Sequence, residues 1–156
     1  MPKRRISWKE IEDGSRLLYK NIPNKHYDGI VCIATGGLIF GKLLSDLFNL
    51  PLGIVSVSRY KKKGGKVEHT SANTHVHWNK EIGKKKPSIL LVDDIIDEGV
   101  TMEKVINALE KKFSKIDIAV LFYKKERTKI DFSKYKVYYY KVLGNDWVVF
   151  PWEIDK

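Results

Sequence analysis

Residues 88–102 read Ser-Ile-Leu-Leu-Val-Asp-Asp-Ile-Ile-Asp-Glu-Gly-Val-Thr-Met, and no other stretch restricts the fold of this chain so narrowly. Ile89 to Val92 is an apolar run short enough for a buried parallel strand. Asp93 and Asp94 stand where that strand is expected to end. After Ile95 and Ile96, the loop Asp97-Glu98-Gly99-Val100-Thr101 leads into a helical pattern with Met102, Val105, Ile106 and Leu109 on one face. A strand, an acidic edge, a small-residue loop and a helix start together suit a phosphate and its divalent cation. Backbone N–H groups at a helix start favour an anion, and Gly99 permits close backbone approach. Thr101 is expected to cap the helix and to offer its hydroxyl to a phosphate oxygen.

This run resembles the phosphoribosyl-pyrophosphate (PRPP) motif of the type I phosphoribosyltransferases. In that motif an apolar strand is followed by two acidic residues, two apolar residues and Asp-Thr-Gly-x-Thr. The match covers the acidic pair, both apolar positions, Asp97, Gly99 and Thr101, whereas Glu98 stands in place of the usual Thr and Val100 at a variable position. The resemblance implies an α/β fold: a mostly parallel twisted sheet flanked by helices, with a small hood. It also implies a transferase that uses Mg²⁺.

The rest of the chain is compatible with that reading. A length of 156 residues corresponds to a single domain. Hydrophobic content of 43% with 31% charged residues reads as soluble and globular. No apolar stretch reaches the length of a membrane span, and no apolar region follows the charged N-terminus as in a secretory signal. The one cysteine, Cys32, lies in an apolar run and reads as a small buried hydrophobe, consistent with a cytoplasmic setting. The net charge of +10 fits either nucleic acid or a polyanionic small substrate, and because the lysines are scattered it does not decide between them.

Along the chain, strands and helices alternate. Trp8–Tyr19 reads as a helix with Ser7 and Glu10 at capping-box spacing. Gly29–Ala34 reads as a strand, Leu38–Phe48 as a helix, and Leu52–Ser58, Ile116–Tyr123 and Tyr135–Leu143 as further strands. From Arg59 to Lys86 the periodicity fails in a polar excursion, expected to be a flexible hood, with Gly64-Gly65 as a hairpin signal. Alternating strands and helices imply a parallel sheet covered on both faces, with ligands beyond the carboxyl ends of its strands. That rule alone puts Thr35–Gly37, the loop after Tyr60, Asp93–Thr101 and Lys124 on one rim.

The resemblance assigns roles along that rim. Asp97, Glu98, Gly99, Val100 and Thr101 would hold the 5′-phosphate of PRPP. Asp93 and Asp94 would orient the ribose hydroxyls and Mg²⁺, and Asp97 would also face N7 of a purine. Thr35, Gly36 and Gly37 resemble the pyrophosphate loop, although the residue before the glycines is often Arg in the family and is Thr35 here. Arg59, Lys61 or Lys66, on the excursion that folds over the centre in the family, would restore that charge. Lys124 resembles the lysine that bonds O6 of 6-oxopurines. Trp147 and Val148, within residues 144–153, resemble the base-binding segment of the xanthine–guanine type enzymes. Trp8 has an aromatic counterpart there and reads as structural.

His69, His75 and His77 lack the cysteine or carboxylate that would complete a familiar zinc set. The expected activity is purine salvage: transfer of phosphoribosyl from PRPP to guanine, hypoxanthine or xanthine by a homo-oligomer, a dimer or tetramer. The alternative is a PRPP- or nucleotide-sensing regulator of the same fold that binds nucleic acid. Thr35 and the net charge favour that alternative; the lack of an appended helix-turn-helix segment opposes it.

Overall fold

The computed structural model describes residues 2–23, 26–61 and 67–154. In chain order its elements are β1 (Lys3–Arg5), α1 (Trp8–Asn21), β2 (Gly29–Ala34), α2 (Leu38–Phe48), β3 (Leu52–Lys61) and β4 (Val67–Ala72). They continue with β5 (His77–Trp78), β6 (Ser88–Ile96), α3 (Val100–Leu109), β7 (Lys115–Tyr123), β8 (Val137–Val142) and β9 (Trp147–Val149).

The central sheet runs β4-β3-β2-β6-β7-β8, with β5 paired to β3. Strands β3, β2, β6, β7 and β8 are mutually parallel, and β4 and β5 are antiparallel to β3. The mostly parallel α/β architecture expected from the alternation is therefore present. Its core has two layers because strand side chains alternate between faces. Ile30, Cys32, Leu90, Val92, Ala119 and Leu121 point to the layer shared with Ile11, Leu18, Phe40 and Leu44 of α1 and α2. Val31, Ile33, Ile89, Leu91, Ile118 and Val120 point to the opposite layer with Met102, Val105, Ile106 and Leu109 of α3. Each such fully buried aliphatic side chain contributes about 1.5–3 kcal/mol.

Local chemistry sets the helix boundaries. At the start of α1, Ser7 Oγ accepts the Glu10 N–H at 3.1 Å and the Ser7 N–H donates to Glu10 Oε2 at 3.0 Å, completing the capping box. Cys32 is fully buried, and burial pushes its thiol up to about 11, so it behaves as an apolar side chain. A Cβ on Gly41 would lie 2.5 Å from Cys32 Cβ, and only a glycine lets α2 pack so closely on β2.

Four features differ from the sequence expectations. The motif strand does not end before the acidic pair; β6 continues through Asp93 and Asp94 to Ile96, because β7 keeps pairing with it. Strand β3 runs three residues beyond Ser58, into an antiparallel pairing with β4, while Gly64-Gly65 lies outside the described residues. Within the polar excursion, Trp78 of β5 seals the sheet where Gly29 and Gly53 leave room for its ring. Finally, β1 and β9 form a separate two-stranded parallel sheet that no periodicity announced. Among the described residues no helix is long and apolar enough to cross a membrane.

Candidate active site

The order in which strands are added to the sheet reverses between β2 and β6: β3 lies outside β2 on one side, and β7 and β8 follow β6 on the other. Such a switch point opens a crevice at the carboxyl ends of the strands. The register shows how. The β2–β6 ladder ends at Cys32↔Val92, whereas the β6–β7 ladder continues through Asp93↔Val120, Ile95↔Phe122 and Ile96↔Tyr123. The β2 ladder thus stops short of Asp93-Asp94, and that edge of β6 faces the turn after β2.

That turn is Thr35-Gly36-Gly37, entered through a cis peptide between Ala34 and Thr35. A Cβ on Gly36 would lie 2.8 Å from Asp94 Oδ2, and one on Gly37 would lie 2.8 Å from the Ile33 carbonyl and 3.1 Å from Asp93 Cα. The two glycines let this backbone press against the acidic pair. Asp93 Oδ1 accepts the Asp94 N–H at 2.9 Å. Burial raises the Asp94 carboxyl to about 6; the Glu153 charge adds to this, and hydrogen bonding at Asp93 and from the Ile95 amide partly opposes it.

The loop after β6 delivers Asp97, Glu98 and Gly99 to the N-terminus of α3. Gly99 is the N-cap, with φ of 92°, and provides no side-chain capping bond. The expectation that Thr101 caps this helix is therefore corrected: Thr101 lies inside its first turn, since the left-handed turn at Gly99 sets the boundary two residues earlier. With no side-chain capping bond at Gly99, the start of α3 lines the cavity with its amides and positive dipole end. A Cβ on Gly99 would lie 3.0 Å from the Phe132 ring and 3.2 Å from Thr128 Cγ2, so the loop rests directly on the segment after β7.

That segment also supplies the cations. The Lys124 N–H donates to the Ile96 carbonyl at 2.9 Å, fixing the end of β7 to the end of β6. Lys124 is 4% exposed, and its Nζ donates to Asp97 Oδ2 at 3.2 Å. Arg127 Nε donates to Asp97 Oδ1 at 2.5 Å. Burial alone would raise the Asp97 carboxyl, but hydrogen bonds from Arg127 and Lys124 outweigh it and hold the group below its ordinary value. Glu98 sits 3.6 Å from Arg127 Nη2 and 3.4 Å from Lys129 Nζ.

The C-terminal segment forms another wall. Pairing of β1 with β9 places Lys3 beside Trp147 and Arg4 beside Val148. Val148 is buried, whereas Trp147 is 59% exposed, so its ring is not part of the core. The Phe150 N–H donates to Glu153 Oε2 at 2.9 Å, and Phe150 stacks on Trp152 with ring centroids 4.8 Å apart. Trp8 joins this aromatic group at 6.0 Å from Trp152.

Together these elements enclose a cavity of about 800 Å³, within the range of small-molecule sites. Its lining includes Asp93, Asp94, Asp97, Glu98, Gly99, Val100, Thr101, Lys124, Trp147 and Val148, all identified in the sequence. Gly36 and Gly37 adjoin it through Asp94 and Asp93. Arg59 lies on β3 opposite Thr70, and its side chain, like Lys66, lies outside what is described. Two charged lining residues escaped the sequence reading, Lys104 and Arg127, while Glu153 lay within the base-binding segment 144–153 without a role of its own. Arg127 was within reach, since it follows Lys124 by three residues on a loop already assigned to the rim.

The acidic oxygens are hard donors of the kind Mg²⁺ prefers, and the Glu153 charge is close enough to raise the Asp94 carboxyl. Among the described residues no group of three or more His, Cys, Asp or Glu gathers around one point. A cation here would therefore take most of its shell from ligand and water oxygens, as Mg²⁺ in phosphate sites does. His75 and His77 meet edge to face, 4.5 Å apart, and His69's side chain lies outside the described part.

A mostly parallel sheet with an acidic pair and a glycine-started helix at its switch point, walled by a buried lysine and an exposed indole, defines an α/β protein with a polar cavity at its strand ends. The phosphoribosyl transferase domain model matches residues 7–155, and the chain belongs to that family, whose members are pentosyltransferases. It is 31% identical to a xanthine-guanine phosphoribosyltransferase of Gluconobacter oxydans over 150 residues, covering 95% of this chain and 83% of the relative. A xanthine-guanine phosphoribosyltransferase of Idiomarina loihiensis is 24% identical over 155 residues, with 96% and 86% covered. The crystal structure of a purine phosphoribosyltransferase from Pyrococcus horikoshii superposes with a TM-score of 0.80 at 30% identity, covering 100% of this chain and 97% of that one.

Proposed function

We propose that this chain transfers the 5-phosphoribosyl group of PRPP to a 6-oxopurine (guanine, hypoxanthine or xanthine), releasing the nucleoside 5′-monophosphate and pyrophosphate. The observation that carries this reading is the pairing of the buried Lys124 ammonium with Asp97 beside the glycine-capped N-terminus of α3. One arrangement supplies a donor for a carbonyl, an acceptor for a ring N–H and a seat for a phosphate.

In this reading the 5′-phosphate binds the amides from Glu98 to Thr101, where the helix dipole favours an anion. Asp93 and Asp94 take the ribose hydroxyls, and the Thr35–Gly37 backbone faces the pyrophosphate. Asp93 and Asp94 offer carboxylate oxygens to Mg²⁺, which would neutralise the leaving group's charge. The bond from N9 of the base to C1′ forms while the bond from C1′ to pyrophosphate oxygen breaks, and its electron pair leaves with pyrophosphate. The proton on N7 passes to the Asp97 carboxylate. Lys124 donates to O6, an acceptor in 6-oxopurines that adenine replaces with a donating amino group. Trp147 offers its open face to the ring. Positioning and charge placement suffice, and no protein nucleophile is needed.

The test is a PRPP-dependent assay with each base, following pyrophosphate release with Mg²⁺ and with chelator. Turnover of guanine, hypoxanthine or xanthine is expected; nucleotide binding without turnover would instead support a regulator, the reading that Thr35 and the net charge of +10 favour. Asp97→Asn should lower kcat at least tenfold while PRPP affinity changes little. Assembly as a homodimer or homotetramer is part of the proposal, and light scattering checks it.

A further inference from the structure

In this structure both oxygens of Asp97 are occupied: Oδ2 by Lys124 at 3.2 Å and Oδ1 by Arg127 at 2.5 Å. If Asp97 faces N7 and Lys124 faces O6, base binding has to separate the Lys124–Asp97 pair, because one ammonium and one carboxylate oxygen then turn to the base. Arg127 has no such second duty. Its Nε stays on the oxygen away from Lys124, and its Nη2 is anchored 3.6 Å from Glu98 Oε1. Glu98 is itself held, with Lys129 Nζ 3.4 Å from its other oxygen and the Lys129 N–H donating to its carbonyl at 2.9 Å. Thr128 Oγ1 donates to the Asp97 carbonyl at 2.8 Å, tying the same short segment to the same loop.

We propose that Arg127 is the positioning residue of this site: it keeps the Asp97 carboxylate charged and aimed when Lys124 transfers to the base, and Glu98 is its anchor. The inference rests on the phosphoribosyl-transfer reading above. It also explains the departure at Glu98, where the resembling motif carries Thr. A carboxylate in a loop meant for a phosphate is unfavourable unless cations hold it, and here Arg127 and Lys129 do so. The guanidinium suits this task better than an ammonium because its planar fork spans two carboxylates with fixed geometry.

The experiment is a carbon-13 NMR titration of the Asp97 carboxyl, assigned with Asp97→Asn, in the wild-type chain, Arg127→Gln and Arg127→Lys. Arg127 is a third exposed, so Arg127→Gln is expected to fold, and its spectrum reports that directly. The Asp97 midpoint should rise by about one pH unit in Arg127→Gln and return part of the way in Arg127→Lys. In parallel, kcat with a 6-oxopurine should fall about tenfold in Arg127→Gln while KM for PRPP stays within about twofold. An unchanged midpoint in Arg127→Gln, or a loss expressed wholly in PRPP KM, would overturn the proposal. Wild-type protein inert towards every 6-oxopurine would refute the transferase reading instead, and the titration would still decide whether Arg127 governs Asp97.

Discussion

Lys124 Nζ and Asp97 Oδ2 meet at 3.2 Å across the ends of two adjacent parallel strands, the ammonium 4% exposed and the carboxylate 38% exposed. A lysine so deeply buried is tolerated because its charge has a partner and its stem fills apolar space. Lys124→Met keeps the stem and removes the charge, so stability should stay within about 1 kcal/mol of wild type. Efficiency with guanine should fall about 10- to 100-fold, the worth of a charge-assisted hydrogen bond, and the preference for guanine over adenine should shrink. Steady-state kinetics with both bases checks this, and intact discrimination would remove Lys124 from base recognition.

Asp94 gives a stability signal of definite sign. Its carboxyl titrates near 6 in the folded chain, above its ordinary value, so the fold prefers the protonated form. The associated stability is fully present below the unfolded-state value and is lost as pH rises through about 6. Asp94→Asn is neutral at every pH and should therefore be more stable than wild type at pH 8, by about 2 kcal/mol, and nearly equal to it at pH 4. Thermal melting without divalent cation at the two pH values tests the difference. The same variant should lose phosphoribosyl transfer.

Gly36 is expected to tolerate no side chain. The added Cβ would stand 2.8 Å from Asp94 Oδ2, so either the turn or the carboxylate must move. Gly36→Ala should lower kcat by at least tenfold with a melting temperature close to wild type, since the turn lies at the rim and outside the core layers. A variant with full activity would show that the turn does not face the reacting groups.

Trp147 separates binding from folding. Because the indole is 59% exposed, Trp147→Ala should change stability by less than about 0.5 kcal/mol. Loss of stacking should raise KM for the base about tenfold, and Trp147→Phe should recover most of it. A large drop in melting temperature would instead assign the ring to the fold.

The site was legible in the sequence where its parts are contiguous. Asp93 to Thr101 carry their meaning in their spacing, because a strand end, a loop and a helix start occupy consecutive residues. Helix α2 and strand β2 were readable for the same reason: each buries a face whose period is written locally. The end of β6 was not readable, since Asp93 to Ile96 remain a strand only because β7 pairs with them. Strands β1 and β9, three residues each, have no local period to display and exist as a pair.

By itself, the order of residues determined the α/β class, the two-layer core and the loop that meets α3, all of which depend on neighbours within a few positions. The tertiary structure alone decided that Arg127 reaches Asp97, that Glu153 acts on Asp94, and that the β2 ladder stops short of the acidic pair. Those relations join residues 30 to 60 positions apart and arise from the sheet's register, which strand pairing across the whole domain sets.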